Sequence, residues 1–246
     1  MHKRKKGQEL PLAMVVLGNF AMVLRRQLYL TAVDSKGLLL RGTALEILLL
    51  ALTGVAFAIL FLGLKNDRGS SVYEENYTAS VPAALGHVAA ATGIFTLVRG
   101  GNPGAVNVLT RFWQPLGMAA AVCLILAGVL RIFGKKPFFL FHSVPSVFLL
   151  VHLVTKYQVW SSNPQMQDYL FALLASLALT LFSHYTAAFE VGLGNRKMVL
   201  GAGLAAVFLC LAEMGCAEYP AFYFGCVLWA LTGICKVTPS QTEEKD

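Results

Sequence analysis

The segment TALEILLLALTGVAFAILFLGL, residues 43–64, is an apolar run of 22 residues that carries one charge, Glu46, near its start. A helix that spans the hydrocarbon core of a membrane needs about 20 such residues, because each adds about 1.5 Å. Seven more apolar runs of 17 residues or longer occur in the chain, at 10–30, 82–98, 112–130, 138–159, 168–189, 198–215 and 219–236. The pattern therefore predicts an all-α, polytopic bundle of eight transmembrane spans.

The composition also indicates a membrane protein. Hydrophobic residues make up 57% of the chain, charged residues make up 13%, and the mean hydropathy is +0.63. Because a soluble domain is about a quarter charged, this chain has too little polar surface to cover a water-soluble globule. We expect one integral-membrane domain over residues 1–246, with a basic N-terminal segment at 1–9, a tail at 237–246 and the lipid bilayer around it. The net charge of +7 fits basic loops beside a membrane, so no nucleic-acid partner is expected.

The first apolar run differs from the others because Arg25, Arg26 and Gln27 lie inside it. Long arginine side chains near the end of a helix can reach the lipid headgroups. If they do not do so here, this helix lies on the membrane surface and seven spans remain. The run lacks a cleavage site of small residues, so it is predicted to be an uncleaved first helix and not a signal peptide.

The basic residues and the aromatic residues predict the same orientation in the membrane. With the N-terminus in the cytoplasm, 13 of the 20 Lys and Arg residues fall in segments predicted to be inside, in agreement with the positive-inside rule. Tyr and Trp favour the membrane–water interface. Those at the predicted outer boundary are Tyr29, Trp113, Tyr157, Trp160, Tyr169 and Tyr219. Both termini are therefore predicted to be cytoplasmic.

A polar segment, YQVWSSNPQMQDY at residues 157–169, separates the fifth and sixth runs. Asn163 and Pro164 form a turn signal, and Asp168 stands where an N-cap would start the sixth helix. Gln165 and Gln167 add side-chain amides to the same turn. Two interpretations stay open: a capped turn at the outer interface, or an outer vestibule that contacts a solute.

Two segments resemble a family of small bacterial polytopic membrane proteins without an assigned function. The first, at residues 159–197, contains the runs W-S-S-x-P-Q-x-Q-D-Y and A-A-F-E-x-G-x-G, and the second is FYFGCVLWALTGIC at residues 222–235. The resemblance covers the C-terminal third of the chain well and the rest poorly. It implies a multi-pass protein of the bacterial cytoplasmic membrane, and it brings no catalytic residues with it.

Ionisable side chains form a predicted layer near the outer ends of the spans. Opposite charges in this layer could pair between helices, or they could line the entrance for a small polar solute. The members of the layer are Glu46, Arg99, His152, Lys156, Asp168 and Glu213, and Gln165 and Gln167 extend it. The middle of every predicted span is free of Asp, Glu, Lys and Arg, which argues against an ion-coupled pump built on carboxylates at the midplane.

Three histidines, His87, His142 and His184, lie at one predicted depth, about 6–9 Å below the cytoplasmic boundary. Neutral imidazoles from three helices could bind a haem iron or a transition metal. Alternatively, each ring could hydrogen-bond a neighbouring helix, with Ser183 and Tyr185 available to His184. A path for a proton or a substrate is the third interpretation. No cofactor is expected under the last two.

No nucleotide-binding, hydrolase or metalloprotease motif occurs in the chain. We therefore expect a non-enzymatic membrane protein, either a small-solute permease or an accessory subunit. The alternatives are an intramembrane haem or metal redox protein that uses the three histidines, and a scaffold that only binds partners. Small residues four positions apart, Gly86 with Ala90 and Gly117 with Ala121, indicate close helix packing. A homo-oligomer or a membrane partner subunit is the expected assembly.

Overall fold

The structure, a computed structural model, describes residues 9–32, 39–65, 67, 69, 72–101, 108–161 and 169–234. This part of the chain forms nine helices. They are α1 (Glu9–Thr31), α2 (Ala44–Lys65), α3 (Tyr73–Asn76), α4 (Val81–Gly100), α5 (Val108–Ile132), α6 (Leu140–Trp160), α7 (Leu170–Glu190), α8 (Arg196–Met214) and α9 (Pro220–Gly233). Eight of them match the eight apolar runs within a few residues, so the prediction of an all-helical bundle is confirmed. The short helix α3 lies between α2 and α4, in a polar stretch of the sequence. Because this stretch contains no apolar run, α3 was not predicted.

Local sequence signals explain where several helices begin and end. Ser80 caps α4, because its hydroxyl accepts a hydrogen bond from the backbone N–H of Ala83 at 3.3 Å. Asn195 caps α8 through the N–H of Lys197 at 2.9 Å. Gly192, with a φ of +79°, turns the chain between α7 and α8, a conformation that glycine adopts without a steric penalty. These signals set the ends of helices whose positions the apolar runs already indicate.

The six helices from α4 to α9 form a closed ring. Each packs against the next along the chain, and α9 closes the ring by packing against α4. Helices α1 and α2 lie outside the ring, where both contact α8. Helix α8 is therefore central, and 67% of the residues in its apolar window are buried.

The most apolar helix is also the one that the protein covers least. Helix α2 has a mean hydropathy of 2.7 in its apolar window, yet only 17% of that window is buried. Phe61, for example, is 71% exposed. In water this arrangement would be costly, because burying a large apolar side chain is worth about 1.5–3 kcal/mol. The outer surface of the bundle is therefore suited to a hydrocarbon solvent.

Six helices in the described part of the chain, α2 and α4 to α8, are long and apolar enough to cross a membrane. This is typical of a multi-pass membrane protein. The remaining two predicted spans do not meet the same criteria. Helix α1 contains Arg25 and Arg26, and the 14 residues of α9 reach about 21 Å at 1.5 Å per residue.

Glycines bring α4 and α9 into backbone contact. A Cβ atom added at Gly93 would lie 2.9 Å from Cα of Phe222, and one at Gly225 would overlap the carbonyl oxygen of Ala89. Gly86 is equally close to Leu228, so the small-residue pattern predicted at 86 and 90 does serve helix packing. The ring closes where these glycines allow two helix backbones to meet.

Gly93→Val should therefore separate α4 from α9 and destabilise the bundle. Overpacking a tight contact costs about 1–3 kcal/mol, which would lower the apparent melting temperature in lipid nanodiscs. Gly54→Val is the matched control, because Gly54 lies in the middle of α2 with no atom within 4 Å of its added Cβ. Equal melting temperatures for the two variants would contradict the closed ring.

Candidate functional site

The helices alternate in direction, so polar residues collect at two opposite ends of the bundle. We call them the Glu213 end and the Glu190 end. Helices α1, α4, α6 and α8 finish at the Glu213 end, where the hydroxyl of Tyr219 donates a 2.5 Å hydrogen bond to the carbonyl oxygen of Gly100. At the Glu190 end, the N–H of Ser80 donates to the carbonyl oxygen of Arg131 at 3.1 Å. The Glu213 end is the one that the sequence predicts to be outside.

A buried ion pair between Arg25 and Glu213 joins α1 to α8 at the Glu213 end. The two side chains are 4% and 8% exposed. The Arg25 guanidinium also lies 5.1 Å from the ring centre of Phe171 and 5.7 Å from that of Tyr29, within range of cation–π attraction. Arg25 is one of the two charges that made the first run doubtful as a span, and its charge is paired inside the protein.

A cavity of about 400 Å³ opens beside this ion pair; we call it the Arg25 cavity. Three residues of the predicted outer layer, His152, Lys156 and Glu213, line it together. Four of the predicted interfacial aromatic residues also line it: Tyr29, Trp160, Tyr169 and Tyr219. The structure therefore brings half of the predicted layer to one place. Gln165, Gln167 and Asp168 lie outside the described residues.

Lys156, His152 and the carboxylate of Glu218 line the Arg25 cavity together with the ion pair. The Lys156 ammonium lies 5.5 Å from the ring centre of Trp160, and it forms no salt bridge with a described residue. His152 is buried, and its Nδ1 has no hydrogen-bond partner in the described part of the chain. Such buried, unsatisfied polar atoms require an explanation, of which a bound water or ligand is one.

Glu46 lies apart from these residues and has a structural role. Its carboxylate accepts a 2.6 Å hydrogen bond from the N–H of Gly42, and its own N–H donates to the hydroxyl of Thr43 at 3.3 Å. The arrangement is close to a capping box, with the carboxylate bonded to the residue before the capping threonine, and it stabilises the start of α2. Glu46 also lines a smaller cavity of about 230 Å³, which Arg25 and Tyr29 separate from the Arg25 cavity. Arg99 is exposed and packs over Phe95 at 5.6 Å.

At the Glu190 end, His87, His142 and Glu190 form a buried group that we call the histidine–glutamate cluster. Nε2 of His87 and Nε2 of His142 are 3.1 Å apart, and Nδ1 of His87 lies 2.6 Å from the carbonyl oxygen of Ala83. Nδ1 of His142 lies 2.8 Å from Oε1 of Glu190. That last contact is short but not aligned as a hydrogen bond, so neither atom has a hydrogen-bond partner among the described residues.

The helices position this cluster through contacts between α6 and α7. The hydroxyl of Ser183 donates a hydrogen bond to the backbone carbonyl oxygen of His142 at 2.7 Å. The hydroxyl of Ser146 donates to the backbone carbonyl oxygen of Thr180 at 3.2 Å. The indole of Trp229 on α9 stacks on the His142 ring, with the ring centres 6.1 Å apart and the planes 7° apart. The hydrogen bonds thus fix α6 against α7 at this position, and Trp229 packs against the His142 imidazole.

Tyrosines and arginines enclose the cluster. Arg131 donates to the hydroxyl oxygen of Tyr73 at 3.3 Å and lies 4.3 Å from the ring centre of Tyr77. Burial raises the pKa of Tyr73 to about 12, and Arg131 opposes that rise only in part, so the phenol is neutral at ordinary pH. A cavity of about 10 Å³ lies among these side chains, close to the smallest volume that holds one water molecule.

A second buried ion pair, at the Glu190 end, joins α8 to the segment after α2. Nε of Arg196 lies 2.9 Å from Oδ2 of Asp67, and the same guanidinium contacts the side-chain oxygen of Asn76. The side chains of Arg196 and Asp67 are 4% and 8% exposed. This pair occupies the opposite end of α8 from Glu213, so buried ion pairs hold both ends of the central helix.

The structure does not bring His184 to the other two histidines. Its side chain is exposed and faces the ring of Tyr185, with 5.7 Å between the ring centres, while its neighbour Ser183 serves His142 instead. Within the described part of the chain, no three His, Cys, Asp or Glu side chains are grouped as ligands for a metal ion. The three-histidine metal or haem site is therefore not assembled as predicted, because consecutive helical residues point about 100° apart.

Sequence reasoning missed Glu190 as a functional residue. It lies one residue beyond the predicted sixth run, inside the A-A-F-E-x-G-x-G segment, and it is the last residue of α7. Its exposed fraction is 3%. The signal that could have found it was a carboxylate next to an apolar run at the same end as His87 and His142.

No protein-family model, curated protein or solved structure matches this chain. The resemblance of residues 159–197 and 222–235 to a bacterial membrane-protein family therefore stays a prediction.

Removing one partner of the Arg25–Glu213 pair should be more costly than removing both. A lone buried charge costs about 3–5 kcal/mol, whereas a hydrophobic pair of similar volume is often neutral. Arg25→Met and Glu213→Met should each lower the apparent melting temperature strongly, and the double variant should recover most of the loss. Additive losses in the double variant would show that the two charges do not depend on each other.

Proposed function

We propose that the protein is a permease for a small polar solute, with eight spans, and that the Arg25 cavity is its solute-contacting site. The observation that carries the proposal is the convergence of His152, Lys156 and Glu213 on one cavity. The sequence placed these residues in an outer layer for which contact with a solute was one of two interpretations, and they come from α6 and α8. The proposed eight spans include α1, which packs against α2 and α8, and α9, which closes the ring.

The size and lining of the cavity support a small-molecule ligand. Ligand sites are typically clefts of about 300–1,000 Å³ with mainly apolar and aromatic walls and a few placed polar groups. The Arg25 cavity, at about 400 Å³, has aromatic walls that include Trp160, Tyr169 and Phe222.

The charges of the cavity indicate what kind of solute it takes. Arg25 and Glu213 neutralise each other, and the rest of the lining carries one carboxylate, Glu218, and one ammonium, Lys156, which is the cation that can receive a ligand. The unpartnered Nδ1 of His152 lies deeper in the same wall. The proposed solute therefore carries a carboxylate or another anionic group that pairs with Lys156, and an apolar or aromatic part that packs on the ring side chains.

The proposed location is the bacterial cytoplasmic membrane, with both termini inside and the Glu213 end outside. The excess of basic residues in the predicted inner segments supports this orientation, and the family resemblance supports the compartment. In this orientation the Arg25 cavity receives solute from outside the cell.

Lys156→Gln should abolish ligand-dependent stabilisation of the purified protein. Small carboxylates, phosphate esters and neutral polyols are screened by thermal shift, where a ligand at 100 times its Kd adds about 2.7 kcal/mol. The compound that stabilises the wild type should also stabilise Lys135→Gln, a control at an exposed lysine of the Glu190 end. No stabilisation by any anion, or equal stabilisation of Lys156→Gln, would contradict the proposed site.

Uptake into proteoliposomes then separates the permease from its alternatives. A stabilising anion that enters vesicles with wild-type protein, and not with Lys156→Gln, supports transport. Binding without uptake indicates an accessory subunit, and co-purification of a partner without any ligand indicates a scaffold. Stoichiometric haem or metal in protein from supplemented cells would favour the redox alternative.

A further inference from the structure

The hydrogen positions on His87 follow from its contacts. The carbonyl oxygen of Ala83 can only accept a hydrogen bond, so Nδ1 of His87, 2.6 Å away, must carry a hydrogen. A second hydrogen on this ring would make a buried cation, which is costly without a carboxylate partner. The His87 ring is 2% exposed and contacts no carboxylate that the structure describes. Nε2 of His87 therefore carries no hydrogen and presents a lone pair.

The hydrogen positions on His142 follow in turn. Its Nε2 lies 3.1 Å from the lone pair of His87, so it must donate to that atom. In a neutral His142 ring, Nδ1 is then also a lone pair, because neutral imidazole carries one N–H. That lone pair lies 2.8 Å from Oε1 of Glu190. An ionised Glu190 would place two acceptors against each other in a site from which water is nearly excluded.

We propose that the histidine–glutamate cluster is a proton-binding site, which holds one proton between Glu190 and His142. Two forms satisfy the contacts: a neutral carboxylic acid beside neutral imidazole, or a carboxylate beside imidazolium. Both contain the same number of protons and have no net charge. On release, the proton leaves the Glu190–His142 pair for water at the Glu190 end, and the pair keeps one negative charge on Glu190.

The groups around the cluster bring no described hydrogen-bond donor to Glu190. Arg131 of α5 donates to the hydroxyl of Tyr73, lies over the ring of Tyr77 and lines the same small cavity as Glu190 without a hydrogen bond to it, and Arg196 of α8 pairs with Asp67. Helix α4 contributes His87, and α9 contributes Trp229, which does not titrate. No hydrogen bond reaches either carboxylate oxygen of Glu190 from the described residues. Ionisable residues inside membrane helices commonly form proton paths in transporters.

Solid-state NMR of protein labelled with 15N-histidine tests the proposal directly in lipid. The described residues contain one imidazole pair in hydrogen-bond contact, so a nitrogen–nitrogen coupling across that bond identifies His87 and His142 without any substitution. At neutral pH, His87 should be neutral with its hydrogen on Nδ1. His184 is the internal control, because its exposed ring contacts Tyr185 and neither of the other two imidazoles.

Infrared spectroscopy of wild type and Glu190→Gln then determines which group holds the proton. Either the wild type shows the C=O band of a protonated carboxylic acid that Glu190→Gln lacks, or His142 gives the 15N signal of imidazolium; each result supports the site. Glu190→Gln should also release one proton fewer per chain in an alkaline titration. Glu218→Gln at the Glu213 end, in the same lipid, should not change that proton count in the neutral to alkaline range.

Three results would overturn the proposal. They are a neutral His142 together with an ionised Glu190 at neutral pH, a coupling that shows the hydrogen on Nε2 of His87, and stoichiometric metal bound at the cluster. The histidine spectra need only wild-type protein, so they decide the question even if Glu190→Gln does not fold. None of these measurements uses a solute, so the result does not depend on whether the Arg25 cavity binds one.

Discussion

The architecture depends on the cost of an unpaired charge in a medium without water. Two buried cations of the described residues, Arg25 and Arg196, pair with carboxylates from distant parts of the chain. Arg25 draws α1 onto the end of α8, and Arg196 ties the start of α8 to the segment after α2. Apolar burial cannot make these choices, because lipid tails solvate an apolar helix surface as well as another helix does. Polar pairs and close glycine contacts therefore decide which helices are neighbours.

The two polar ends share helices, which suggests how they could communicate. His142 and His152 lie ten residues apart on α6, about 15 Å along its axis, so one helix carries a member of each site. Helix α9 does the same with Trp229 and Phe222. Fully buried side chains such as Ile94, Phe148 and Leu179 fill the layer between the two ends. The described residues show no continuous polar path between the two ends, so α6 and α9 are the elements that link them.

Much of the fold could be predicted from the sequence because the membrane imposes one strong pattern. Apolar length gave the positions of eight helices, and charge with aromatic position selected His152, Lys156 and Glu213, which do meet. The sequence predicts how deep in the membrane a residue lies along its helix. It does not predict which side of the helix that residue faces. His184 shares its predicted depth with His142, yet it points outward while Ser183 points inward. Glu190 escaped prediction because it follows an apolar run by one residue, and its burial depends on neighbours that only the tertiary structure supplies.

The central claim is that the Arg25 cavity and the histidine–glutamate cluster face opposite sides of one membrane. Cysteine labelling tests it, in a background where the five cysteines are replaced by alanine or serine. A single cysteine is placed at Ser161, beside the cavity, or at Leu193, which is 86% exposed on the turn after Glu190. A membrane-impermeant maleimide should label Ser161→Cys in intact cells and Leu193→Cys only after lysis. Labelling of both in intact cells, or of Leu193→Cys alone, would contradict the account.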